Sequence, residues 1–106
     1  MDRRQMFDDE LRAIQVEVNG YHHTYFEPPE SVRLQYDAIV YSNPDMNVRR
    51  ADNNTYNVRK GYQVMVISRD PESKLPEAIQ WHFARCNPGK FFVRDNLYHF
   101  PFTIYY

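Results

Sequence analysis

The stretch Phe91–Tyr106 constrains this chain more than any other. Apolar and aromatic residues recur at nearly every second position on both sides of Asp95-Asn96, and a period of two marks a strand with one buried face. Asp and Asn tolerate left-handed backbone better than most residues, so Asp95-Asn96 reads as the two-residue turn of a β-hairpin. That turn pairs Arg94 with Leu97, Val93 with Tyr98 and Phe91 with Phe100. One face then carries Phe91, Val93, Tyr98, Phe100, Phe102 and Ile104 and is expected to be the core face. The other carries Phe92, Arg94, Leu97, His99 and Thr103. Pro101 is expected to lie beyond the start of its partner strand, where its missing N–H costs nothing.

The hairpin needs a sheet to join. Phe7, Leu11, Ile14 and Val18 recur at helical spacing and predict a helix over 3–18, with Asp2 as N-cap and Gly20 as stop. Pro28-Pro29 rules out a central strand there. A short strand is expected over 36–41 and a longer one over 55–68, the latter with Tyr62, Val64 and Val66 on one face. Its other face, Gln63, Met65 and Ile67, is apolar enough to suggest a central position. Between them lies a long irregular segment, 42–54, rich in turn formers. Leu75, Ile79 and Phe83, with Ala78 beside them, predict a second helix over 73–85. Pro76 fits only in its first turn, and Asn87-Pro88-Gly89 is read as its end. The order α-β-loop-β-α-β-β predicts an α+β fold: a single antiparallel or mixed β-sheet, two α-helices packed on one face, and the C-terminal hairpin. The 106 residues amount to one domain, 1–106.

Composition narrows the function. Thirteen basic against fourteen acidic residues give a net charge of −1, unlike the basic excess of a dedicated nucleic-acid binder. Cys86 is the single cysteine, so no internal disulfide forms. No apolar run is long enough to span a membrane. The start Met1-Asp2-Arg3-Arg4-Gln5, followed by Asp8-Asp9-Glu10, does not resemble a signal peptide, and the chain is expected in a cytoplasm. Nine Tyr, seven Phe and one Trp exceed what so small a core can fully bury. The surplus fits partner surfaces, although Tyr is also a good strand residue.

Chemistry-bearing patterns are weak. His82 and Cys86 stand i, i+4 on the expected second helix, and His22-His23 could add ligands. Zinc needs four placed ligands, or three and a water, and only one pair is spaced for it. The simpler reading makes His82 a polar rim residue and Cys86 a small buried one. A Cys-His nucleophile pair lacks an orienting third group. Gly20, Gly61 and Gly89 are isolated and form no phosphate loop. Asp8-Asp9 is read as favouring the N-terminal half of its helix electrostatically. Arg49, Arg50, Arg59 and Lys60, with Tyr56, allow a nucleic-acid groove. The favoured reading pairs these arginines with Asp45 and Asp52, or with a neighbouring subunit. No enzymatic activity and no cofactor or metal is expected.

Tyr36-Asp37-Ala38-Ile39-Val40-Tyr41, then Ala51-Asp52-Asn53-Asn54-Thr55-Tyr56, a Tyr62-Val64-Val66 strand, the acidic linker Asp70-Pro71-Glu72-Ser73, a helix and an aromatic hairpin together resemble the tail terminator, or tail-completion, proteins of long-tailed bacteriophages. The resemblance covers about 36–106 and rests on order and spacing. Glu27-Pro28-Pro29 and Arg49-Arg50 are not part of it. It implies a virion structural protein at the neck or top of the tail, made in the host cytoplasm. Such proteins form a ring, typically of six subunits. The ring caps the tail tube, ends its growth and meets the head connector or stopper, while genomic DNA passes through the lumen unbound. A head-completion or stopper protein is a neighbouring alternative, and a small nucleic-acid-binding regulator or nuclease a more distant one. On this reading the loop 43–59 and the outer face of the last strand meet neighbouring subunits or ring partners. The candidate contact residues are Arg49, Arg50, Asp52, Asn53, Tyr56 and Arg59 in the loop region, and Phe92, Leu97 and Tyr105 on the hairpin. Arg49→Glu combined with Arg50→Glu is expected to block head–tail joining while leaving the monomer folded; normal infectious particles from that double variant would refute the assignment.

Overall fold

Asp2 starts helix α1 (Arg3–Asn19) through a capping box. Its side chain accepts from the backbone N–H of Gln5, and the Gln5 side chain accepts from that of Asp2. Gly20 ends the helix at φ 84°, in the left-handed region that glycine enters without strain. The computed structural model describes residues 2–43 and 61–106. Phe7, Leu11 and Ile14 are buried and Val18 packs beside them, as the helical spacing requires.

The described strands form one mixed sheet, so the fold is α+β. β1 (Thr24–Phe26) pairs in parallel with β2 (Ala38–Ser42). β2 pairs antiparallel with β3 (Gly61–Ser68), from Ala38 opposite Ile67 to Ser42 opposite Gln63. β3 pairs antiparallel with β6 (Leu97–Tyr105) over eight residues. β4 (Cys86–Pro88) and β5 (Phe92–Arg94) lie end to end along the other edge of β6. β3 is therefore central, as its apolar faces predict. The irregular segment expected over 42–54 and the first part of the expected strand over 55–68 fall largely outside the described residues. β1 carries no periodic signal. Three residues are too few to show one, and its pairing with β2 is non-local.

The second helix, α2 (Leu75–His82), is shorter than expected. Phe83 leaves it in extended backbone, φ −96° and ψ 131°. The reason is the open edge of β6. The N–H of Tyr105 donates to the Arg85 carbonyl at 2.9 Å, and Cys86-Asn87-Pro88 pairs with Ile104-Thr103-Phe102. Asn87-Pro88-Gly89 is thus an edge strand leading into a turn, not a helix stop. Pro88 is tolerated because its strand is at an edge.

The hairpin has the expected register, with Arg94 opposite Leu97 and Val93 opposite Tyr98. Asp95 and Asn96 both have positive φ, 54° and 62°, as a type I′ turn requires. Pro101 lies beyond the start of its hairpin partner β5, as expected, and pairs on its other side with Met65 of β3. In a strand a residue's N and C=O point to the same side. The Pro101 carbonyl accepts from Gly89 N–H at 2.7 Å, so its nitrogen faces the junction between β4 and β5, where no ladder donor is needed.

One cluster forms the core. Phe7, Leu11 and Ile14 of α1 and Leu75 and Ile79 of α2 pack with Ile39, Tyr41, Tyr62, Val64, Val66, Phe83, Phe102 and Ile104. Phe7 is its centre. Its ring stacks on Tyr62 at 4.7 Å between centroids and meets Tyr41, Phe83 and Tyr106 at 5.5, 5.3 and 5.1 Å.

Candidate assembly interface

The core stops short of the hairpin turn. Phe102 and Ile104 are buried and Phe100 sits at the cluster margin, but Phe91, Val93 and Tyr98 lie outside it. Phe91 is 47% exposed and Val93 54%. The alternation assigns this face correctly, yet its outer half is not core: neither helix extends over it. Phe91 packs instead along Tyr98 and Phe100, at 6.0 and 5.1 Å between ring centroids. Among the described residues the result is an uncovered apolar ridge, with exposed Lys90 beside it.

The opposite face is better satisfied than its composition suggests. Phe92 stacks on His99 at 4.6 Å and 13°, with the Arg94 guanidinium over its ring at 5.6 Å. Leu97 is half-buried. Tyr105, also half-buried, lies across Gly61, where a Cβ would come within 2.8 Å of its ring. Eight residues of strand separate Leu97 from Tyr105, roughly 26 Å. Phe92 and Leu97 therefore share one patch and Tyr105 does not. Arg49, Arg50, Asp52, Asn53, Tyr56 and Arg59 lie outside the described residues.

A second surface lies between the helices. Ile14, Val18 and Ala78 floor an open groove of about 670 Å³, within the range of binding clefts. Glu17, Glu77 and Lys74 rim it, and Trp81 stands beside it 81% exposed. Trp81 is the large apolar residue least explained by folding. The sequence holds its signal: it falls two residues after Ile79, off the Leu75-Ile79-Phe83 stripe.

Polar groups inside the fold are structural cross-links. Asp8 is buried beside Tyr41. It accepts from the Tyr41 hydroxyl and the Arg12 guanidinium, while Arg4 donates to the Tyr41 oxygen at 3.0 Å. Burial alone would raise the Asp8 pKa. The hydrogen bonds from Arg12 and Tyr41, with the charges of Arg12 and Arg4, outweigh that and hold it below its ordinary value. Burial, then the bond to Asp8, raises the Tyr41 pKa. Asp8 thus pairs with side chains across the fold, and its role is more specific than a general field effect on the helix. Gln15, fully buried, donates to the Asp37 carbonyl and accepts from His23 N–H, both at 2.8 Å. It ties α1 to the starts of β1 and β2.

The metal-ligand spacing of His82 and Cys86 does not survive the fold. His82 ends α2 and meets Glu10 at 2.8 Å, whereas Cys86 lies in β4 against the core. Burial pushes the Cys86 thiol pKa up, away from a reactive thiolate. Among the described residues no three His, Cys, Asp or Glu side chains converge on a metal-sized site. Glu10 also accepts from the Tyr106 hydroxyl, and that bond, ahead of burial, pushes Tyr106 up to about 12.

No protein-family model, curated protein or solved structure matches the chain. The two apolar surfaces that stay uncovered among the described residues are the features left to interpret.

Proposed function

We propose that the chain is a structural subunit of a homo-oligomeric ring, in the manner of the phage tail terminators its motif order resembles. The ring caps the tail tube, ends its polymerisation and presents a surface to the head connector. The observation that carries this reading is the ridge Phe91-Val93-Tyr98, a continuation of the core face on which Phe91 and Val93 stand exposed among the described residues. Such a ridge is costly to leave in water and is suited to a protein contact. It also fits a scaffold with a separate groove, because a closed ring needs two different contact surfaces on each subunit. On this reading the near-neutral charge lets DNA pass through the lumen without being held.

The test is removal of the chain from the phage that encodes it. Overlong tails, unattached to heads, are the expected result. Tails of normal length that still fail to join would assign the chain to the stopper ring instead. Salt-dependent DNA binding by the purified monomer would overturn the structural role altogether.

A further inference from the structure

We propose that two copies of the chain pair edge to edge through β5, antiparallel and centred on Val93, and so join their sheets. Among the described residues β1, β4 and β5 border the sheet, and the first two are poorly suited to such pairing. On β1, His23 and Glu27 bond to β2, so Thr24 and Phe26 turn their backbone groups outward, and the Thr24 carbonyl already accepts from Arg12 at 3.2 Å. On β4, Arg85 and Gly89 bond to β6, so Cys86 and Pro88 face outward, and Pro88 has no N–H to give. β5 is open. Its two-residue turn makes Arg94 and Leu97 a hydrogen-bonded pair, with Phe92 and His99 the next. The N–H and C=O of Val93 therefore point away from β6, and no described residue bonds them. The Val93 side chain is 54% exposed. An edge of this kind accepts an extended strand.

The side-chain order selects a second copy of β5 as that strand. With Val93 opposite its counterpart, the two residues exchange both hydrogen bonds. Arg94 of each copy then lies opposite Phe92 of the other, and these residues already meet within one chain at 5.6 Å. A shift of one residue would set Val93 against Phe92 or Arg94, whose backbone groups β6 already holds. A shift of two would set Arg94 against its own counterpart or bring it towards exposed Lys90, and like charges directly opposite are destabilising. The contact is isologous and closes at two copies. It goes beyond the ring reading, in which unlike surfaces meet. A paired copy has its ridge occupied, so dimer and ring subunit are alternative uses of one surface.

A charge swap at the two-fold centre tests the pairing. Val93→Lys and Val93→Glu each set like charges against each other across the axis, and only a mixture sets Lys against Glu. Val93 is exposed, so both variants keep the fold, checked by circular dichroism. Mass is measured by light scattering at low salt across a concentration series. The wild type is expected to rise from 12.8 kDa to twice that mass, and each variant alone to stay monomeric. An equal mixture of the two is expected to dimerise. A mixture that stays monomeric while the wild type dimerises would overturn the Val93-centred contact, as would either variant dimerising alone like the wild type. So would a wild type that is monomeric throughout. A larger assembly of the wild type that both variants also form would overturn the pairing and leave the ring reading standing.

Discussion

Phe7→Ala is expected to cost about 3–5 kcal/mol of folding stability, the usual range for emptying a buried aromatic site. The upper half of that range applies. Phe7 is fully buried and contacts four other rings, Tyr41, Tyr62, Phe83 and Tyr106, and aromatic pairs add about 0.5–1.5 kcal/mol each beyond the area they bury. The four rings come from β2, β3, the end of α2 and the C-terminus, so no single neighbour can move in to fill the hole. A domain of this size holds roughly 5–15 kcal/mol in total. The loss corresponds to a fall in melting temperature of roughly 15–30 °C. Thermal unfolding followed by circular dichroism measures it. A fall of only a few degrees would mean that the ring cluster is not the centre of the core.

Local signals were the legible ones. α1 could be bounded from sequence because its stop and start are single residues, Asp2 and Gly20, acting on their own backbone. The hairpin register followed from two residues, Asp95 and Asn96, whose positive φ is affordable nowhere else in the run. Elements made by distant pairing left little trace. Thr24-Tyr25-Phe26 is a strand only because Ile39-Val40-Tyr41 lies beside it. Cys86-Asn87-Pro88 is poor strand material that the edge of β6 captures. The length of α2 was misleading for a subtler reason. Phe83 reaches the core whether its backbone is helical or extended, so the Leu75-Ile79-Phe83 spacing cannot say where the helix ends.

The candidate surface was half legible for the same kind of reason. Alternation sorts hairpin residues into two faces, but it does not say how far the helices reach across either one. Alternation alone therefore assigns Phe91 and Val93 to the core and leaves Phe92 and Leu97 as the surplus. The structure reverses the emphasis, because Phe92 finds His99 and Arg94 while Val93 finds no cover among the described residues. Trp81 could have been flagged from its position off the apolar stripe of α2. The partners of Asp8 and Gln15 could not. Arg4, Asp8 and Gln15 lie along one flank of the apolar face of α1, but Tyr41, His23 and Asp37 reach them only through the fold.

Asp8 yields the second large effect, and its sign is fixed by the direction of the pKa shift. Folding lowers the Asp8 pKa from its ordinary value of 3.8. The ionised form is thus favoured in the folded state, and the resulting stability is fully present above pH ~4–5 and lost as pH falls through the lowered value. Asp8→Asn removes the charge that Arg12 and Tyr41 donate to. Hydrogen bonds to a charged group contribute about 1.5–3 kcal/mol. Part of this is offset by the burial of the carboxylate, and Arg12 is partly exposed, so the expected loss at pH 7 is about 2 kcal/mol. Tyr41→Phe keeps the ring packed against Phe7 and loses one donor, so a smaller loss of about 1 kcal/mol is expected. The pH profile distinguishes this network from packing alone. Denaturant unfolding from pH 7 to pH 2 should show the wild type and Asp8→Asn converging in acid, because protonation of Asp8 removes in the wild type what the substitution has already removed. Two curves that stay parallel down to pH 2 would mean that Asp8 contributes by shape and not by charge.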